Sequence, residues 1–175
     1  ETMKPSPLSP YAAAKLMCEH YCSVFCNVFG LETISLRYFN VFGPYQDPKS
    51  QYAAAIPAFV TAILKGEPPR VYGDGEQSRD FTYISDVVQA NIKAAESSAN
   101  GIFNIAVGNR ITINGLAELI MDIIGKNLDI SYDDARPGDI LHSLADVSKA
   151  INHFNYKPEF NIKNGLKETV KWFQK

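Results

Sequence analysis

The chain has 175 residues, 46% of them hydrophobic and 21% charged, with a formal net charge of −2 at pH 7. This is the composition of a globular domain able to build a core, and it is not basic enough for nucleic acid to be the main partner. No apolar run reaches the length of a membrane span and the first residues lack a signal-peptide pattern, so no membrane partner is expected.

The first predicted element follows Ser9-Pro10, where serine can cap a helix and proline suits its first turn. It runs through "YAAAKLMCEHYCSVFCNVF" to Gly30, a natural C-terminal stop. On that helix Tyr11 and Lys15 stand one turn apart on the same face, and three alanines between them leave room for a flat group. Tyr45 and Lys49 share the spacing, but Pro48 lies between them and Gly43-Pro44 precedes them, so that pair reads as loop. Cys18, Cys22 and Cys26 continue the Tyr11–Lys15 stripe at intervals of four. A structural zinc takes four ligands and His20 points elsewhere, so the thiols are expected as small apolar members of a buried face, with no metal site. An odd cysteine count without a secretory signal favours a reducing, cytoplasmic setting.

Downstream, "ETISLRYFNV" (32–41) is β-rich and suits a buried strand, and "FGPYQDPKSQY" (42–52) is a loop. A helix follows over 53–66 with Pro57 near its first turn, ending at Gly66. The stretch 69–84 reads as two short strands around an Asp74-Gly75 turn. Ser85 or Asp86 opens the next helix, "GIFNIAV" (101–107) is a strand, and Thr112 caps a helix over 113–125. A strand candidate at 128–135 and two final helices, near 145–152 and 164–175, complete the chain. Strands alternating with helices point to an α/β fold.

Five landmarks now stand in order: "SPYAAAK", "RYFNVFGPYQDP", "IPAF", "VYGDGEQSRDFTYISDV" and "ARPGDILHSLADVSKA". Together they resemble the C-terminal part of an extended short-chain dehydrogenase/reductase, specifically a nucleotide-sugar 4-epimerase of the UDP-glucose/UDP-N-acetylglucosamine type. The resemblance implies the C-terminal part of a Rossmann-like doubly wound α/β sheet, plus a smaller mixed α/β substrate-binding lobe. Residues 1–50 would end the NAD-binding domain. Residues 51–175 would be mainly the nucleotide-sugar lobe, with elements around 80–105 returning to the Rossmann-type sheet. The family's glycine-rich dinucleotide loop, acidic ribose partner and active-site Ser or Thr lie upstream of the tyrosine, and none is present here. "GDGEQS" is no substitute, because no helix starts after it. The chain is therefore expected to be the second half of an enzyme and inactive alone.

The implied chemistry is oxidation of the sugar 4-hydroxyl with bound NAD, rotation of the 4-keto sugar, and return of hydride to its other face. Tyr11 would be the base and then the acid, with Lys15 and the positive nicotinamide both favouring its phenolate. Lys15 would also hydrogen-bond the nicotinamide ribose, and Phe39 would lie beside the cofactor. Asn40 would meet the substrate diphosphate, and Ala54 and Ala55 would touch substrate through backbone. Tyr72 would pack on the uracil base, flanked by Arg70 and Val71. Arg79 and Arg136 would hold the diphosphate, which guanidinium forks suit better than lysine. Asp139 would accept from the ribose, and the small Ser143 would leave room for an N-acetyl group on the sugar. The expected partner is thus a UDP-sugar, leaning to UDP-GlcNAc/UDP-GalNAc, and the complete enzyme is expected to be a homodimer through the Tyr11 helix. Two alternatives stay open: a nucleotide-sugar 4,6-dehydratase, although "RYFNVFGP" is spelled closer to the epimerases, and a non-catalytic nucleotide-sugar-binding fragment. A UDP-glucuronate-processing relative is disfavoured, since no further basic residue adjoins Asn40.

Overall fold

The computed structural model describes residues 1–48, 54–136 and 138–175. The Tyr45–Lys49 pair and the expected helix start at Ala53 therefore fall partly outside the described residues.

The first helix, α1 (Pro10–Phe29), begins and ends on its local signals. Ser9 Oγ accepts from Ala12 N–H at 3.1 Å, and Gly30, in the left-handed region at φ 68°, donates to Cys26 O at 3.0 Å. The β-rich run that follows is two strands, β1 (Ile34–Tyr38) and β2 (Asn40–Phe42), broken at Phe39. Phe39 N–H donates to Ile105 O and the next residue, Asn40, donates to Asp80 O, so the chain changes partner strand within one residue.

Seven further elements follow in order: α2 (Ala55–Lys65), β3 (Arg70–Tyr72), β4 (Ser78–Arg79), β5 (Phe81–Tyr83), α3 (Ile84–Ala95), β6 (Gly101–Ile105) and β7 (Ile111–Thr112). The chain then forms α4 (Ile113–Ile124), β8 (Ser131–Asp133), α5 (Ser148–Phe154) and α6 (Ile162–Phe173). The strands pair as β1–β6, β2–β5 and β3–β8, all parallel, and as antiparallel β4–β7.

The hairpin expected around Asp74-Gly75 is absent, because β3 and β4 pair with different strands. The loop between them is pinned instead to the start of α4. Asn114 Nδ2 donates to Asp74 O and Glu76 Oε1, both at 2.9 Å, and Asn114 N–H donates to Gly75 O. Gly75 has φ 78°, and Asn114 fills the place a Cβ would take, so only glycine serves there. Neither Ser85 nor Asp86 caps α3. Tyr83 holds the cap position, while the buried Asp86 carboxylate accepts from Glu159 and Phe160 N–H. Thr112 does cap α4, accepting from Gly115 N–H at 3.1 Å.

Two cores result. The larger joins β2, β3 and β5 to α2, α4 and α6, with Phe42, Ile56, Val60, Ile63, Leu116, Ile120 and Leu166 almost fully buried. A Cβ on Gly165 would meet Phe42 Cζ at 2.6 Å, so α6 approaches β2 closely only because that residue is glycine. The smaller core packs α3, β6 and α5 together through Ala90, Phe103, Ile105, Ala150 and Phe154, with Tyr156 O–H donating to Ala106 O.

Helix α1 buries no residue. It meets β1 through a two-point ion pair, Arg37 to Glu19 at 2.6 and 2.7 Å, which holds the Glu19 carboxyl below its usual range. Thr33 Oγ1 donates to Cys22 O on the same side. The cysteines are accordingly not buried as expected: Cys18 is exposed and Cys22 and Cys26 are half-buried. The reason is that only one narrow line of α1, Ala12, Leu16, Glu19, Cys22 and Cys26, is even half-buried. Met17, Tyr21, Val24, Val28 and Phe29 remain between 51% and 70% exposed.

Candidate functional site

The larger core opens into a cavity of about 590 Å³. The first residue of β2 brings Asn40 to its wall, the last of β3 brings Tyr72, and the last of β4 brings Arg79. The 136–139 segment contributes Arg136 and Asp139, while Arg70 stands at the mouth with its side chain 67% exposed. Ala54 and Ala55 line the cavity at the start of α2. Val71 borders it from within the core, with its side chain 1% exposed.

The chemistry of the wall favours an anionic ligand carrying a flat ring. Three guanidinium groups face two carboxylates, Asp139 and Glu67. The α2 N-terminus adds a second source of positive potential: no side chain caps it and its first turn holds no acidic residue. Its leading N–H groups have no intrahelical acceptor, which suits phosphate oxygens. Arg136 lies over the Tyr72 ring, with Cζ 3.9 Å from the centroid, a cation–π contact. Arg79 Nη2 donates to Asp139 Oδ1 at 2.5 Å, and Arg79 Nη1 donates to Ser78 O and Leu141 O. Arg70 pairs with Asp133 at 3.4 Å.

Beside Arg79, the carboxylate of Asp80 is fully buried and accepts from Val107, Gly108 and Ala145 N–H. Burial raises its pKa, and those N–H donors oppose the rise. Asp80 thereby ties three chain segments together behind the cavity.

Ser143 does not line the cavity. It sits next to it, its N–H donating to Ser78 O at 3.0 Å. Tyr11, Lys15 and Phe39 are also not among the lining residues. Tyr11 is 73% exposed, with Lys15 Nζ 5.5 Å from its ring centroid, and Phe39 packs against the smaller core. The structure thus gathers Asn40, Tyr72, Arg79, Arg136 and Asp139 around one cavity and leaves the Tyr–Lys pair outside it.

Gln77, Glu67 and Phe59 are among the lining residues that the sequence did not single out. Gln77 Nε2 donates to Tyr72 O at 2.6 Å and so steadies the aromatic residue. Its place inside the "GDGEQSRD" motif was the available hint.

The family model described as "NAD dependent epimerase/dehydratase family" matches residues 1–106. A UDP-glucuronate 4-epimerase of Thermodesulfobacterium geofontis is 37% identical over 95% of this chain and 51% of its own length. A UDP-N-acetylglucosamine 4-epimerase from Methanobrevibacter ruminantium M1, solved with UDP-N-acetylmuramic acid, superposes with a TM-score of 0.96 at 52% identity. That match covers 99% of this chain and 56% of the solved one. The UDP-glucose 4-epimerase of Thermotoga maritima, solved with UDP-glucose, gives a TM-score of 0.94 at 39% identity, over 97% of this chain and 55% of the other. The chain belongs to the NAD dependent epimerase/dehydratase family, whose members have a Rossmann-like α/β fold. It spans about half the length of the curated relatives it matches.

The family's cofactor is NAD. The residues of this chain fit its nicotinamide end: a hydroxyl and an ammonium one exposed turn apart, and an aromatic residue just past the carboxyl end of a parallel strand. The Gly73–Gly75 loop does not fit the pyrophosphate, since Asn114 occupies the space beside Gly75.

Proposed function

We propose that this chain carries the nucleotide-sugar part of an NAD-dependent UDP-hexose 4-epimerase, with UDP-GlcNAc and UDP-GalNAc as the favoured substrates. The observation that carries this is the convergence of Asn40, Tyr72, Arg79, Arg136 and Asp139, from four separated segments, on one cavity.

The uracil base stacks on Tyr72, flanked by Arg70 and Val71. Arg79 and Arg136 hold the diphosphate together with the amide of Asn40 and the open N–H groups of α2, and Asp139 accepts from the ribose. Ala54 and Ala55 contact substrate through backbone. Ser143 leaves space for the sugar's 2-N-acetyl group, a preference supported by the 52%-identical relative solved with an N-acetylated UDP-sugar.

Tyr11 takes the proton from the 4-hydroxyl and returns it on the other face. Lys15 favours the phenolate and binds the cofactor ribose, and Phe39 lies against the cofactor. NAD, when bound, supplies the acceptor and donor of hydride. Because the Tyr–Lys pair stands outside the cavity, epimerisation belongs to the full-length enzyme, and the 175-residue chain binds without turnover. The exposed stripe Met17, Tyr21, Val24 and Val28 on α1 suits a homodimer contact in that enzyme.

Calorimetric titration of the chain with UDP tests the reading. Binding is expected, and Arg79→Ala weakens it about 10- to 100-fold through loss of charge-assisted hydrogen bonds. A chain that binds no UDP overturns it. In the full-length enzyme Ser143→Tyr suppresses N-acetylated substrates selectively; equal losses for acetylated and unacetylated sugars overturn the gatekeeper role.

A further inference from the structure

Strand β4 is held along both edges. β7 pairs with one edge. The other takes the segment 141–143: Ser78 N–H donates to Leu141 O at 2.8 Å, Ser143 N–H donates to Ser78 O at 3.0 Å, and Ser78 and His142 form a parallel bridge. Successive strand side chains point to opposite faces. Arg79 faces the cavity, so Ser78 faces away from it, and its buried Oγ lies 2.9 Å from His142 Nδ1.

The same short segment carries Asp139, bonded to Arg79 in front of the strand, and ends at Ser143. It is therefore fixed at three points: Arg79–Asp139 in front, the Ser78 backbone at the edge, and Ser78–His142 behind. The front point is the vulnerable one. A diphosphate that takes the Nη2–H of Arg79 competes directly with the Asp139 carboxylate, whereas the rear point is out of the ligand's reach.

Resting on the nucleotide-sugar reading above, we propose that His142 is a positioning residue: latched to Ser78 Oγ behind β4, it keeps Asp139 and Ser143 in register while Arg79 engages the ligand's diphosphate. Ser78 O–H can donate to a neutral Nδ1, and a protonated Nδ1–H can donate to Ser78 Oγ. His142 is exposed, so its removal leaves no cavity in either core.

The test combines amide hydrogen exchange with UDP-GlcNAc titration of the 175-residue chain. In His142→Ala, exchange at Ser143 rises about tenfold, as expected for loss of one hydrogen bond. Exchange at Val107 and Gly108, held by Asp80, stays unchanged. His142→Asn, which keeps a polar atom near the Nδ1 position, restores protection. Ser78→Ala loosens Ser143 equally, and the double variant adds nothing further. The UDP-GlcNAc Kd rises about tenfold in His142→Ala and Ser78→Ala and recovers in His142→Asn.

Unchanged exchange at Ser143 overturns the latch. Raised exchange with an unchanged Kd, in a chain whose wild type binds, overturns the positioning role alone. A wild-type chain that binds no UDP-GlcNAc overturns the nucleotide-sugar reading, and this role for His142 falls with it.

Discussion

Helix α1 and the helices α2 and α4 of the cavity lobe are built from similar proportions of apolar residues and end up in opposite conditions. The lobe closes on itself: α2, α4 and α6 bury Ile63, Ile120 and Leu166 completely, and the cavity wall is assembled on that closed core. α1 is longer, 20 residues, and buries none. A site carried by a closed lobe has its geometry set by that lobe's own packing. A pair carried by an uncovered helix, such as Tyr11 and Lys15, acquires a site only from whatever covers that helix. Under the proposed function, that difference would separate binding from chemistry within one chain.

The sharpest way to break that comparison is Tyr11→Phe in the full-length enzyme. Turnover falls about a hundredfold to ten-thousandfold, as for loss of a general acid–base group, while the UDP affinity of the 175-residue chain stays unchanged. Steady-state rates beside calorimetry of the chain read both effects. Near-parental turnover removes Tyr11 as the base, and a parallel loss of UDP affinity shows that the two regions are not separate.

Next in size is a contrast in packing. Leu166→Ala destabilises the chain by about 2–5 kcal/mol, the range for a large-to-small change in a closed core. Val24→Ala on the exposed face of α1 costs well under about 1 kcal/mol in the same chain. Chemical denaturation measures both, and comparable losses would mean that α1 is covered in solution.

The smallest expected effect concerns the ion pair tying α1 to β1. Because Arg37 lowers the Glu19 pKa, the pair's stabilisation is full above the unfolded value of 4.5 and is lost as pH falls through the lower folded value. Glu19→Gln therefore costs about 1 kcal/mol at neutral pH and little once the wild-type carboxyl is protonated. Asp80 and Asp86 act in the opposite sense. Burial raises their pKa, so the stability they contribute is present at low pH and is lost as pH rises through the raised values. Denaturation midpoints of wild type and Glu19→Gln between about pH 3 and 7 show the difference closing on the acid side.

Much of the local structure was legible in the residues. Ser9 and Gly30, Thr112 and Gly125, and Gly66 each bound their helices by hydrogen bonds that reach only three to five residues. A signal of that range can be read without knowing the fold. Several cavity-lining residues were legible for a different reason: Arg79, Arg136, Asp139 and Tyr72 sit in motifs whose order along the chain is itself informative.

Strand partnership was not legible. β2 with β5 and β3 with β8 join residues 41 and 61 positions apart, and nothing in a three-residue strand names its partner. The same limit hid the failure of the Asp74-Gly75 hairpin, since what pulls that loop aside is Asn114, on a later helix. It also hid the latch between Ser78 and His142, 64 positions apart. The cysteines of α1 show the limit most plainly. Their spacing determined which side of the helix they share, but burial depends on what lies opposite, and β1 covers only a narrow line of that side. By itself the sequence determined the family motifs, the ends of α1 and α4 and the guanidinium groups of the cavity, because each is written in neighbouring residues. Only the tertiary structure decided which of those groups meet, because burial and contact are made by segments that chain order leaves far apart.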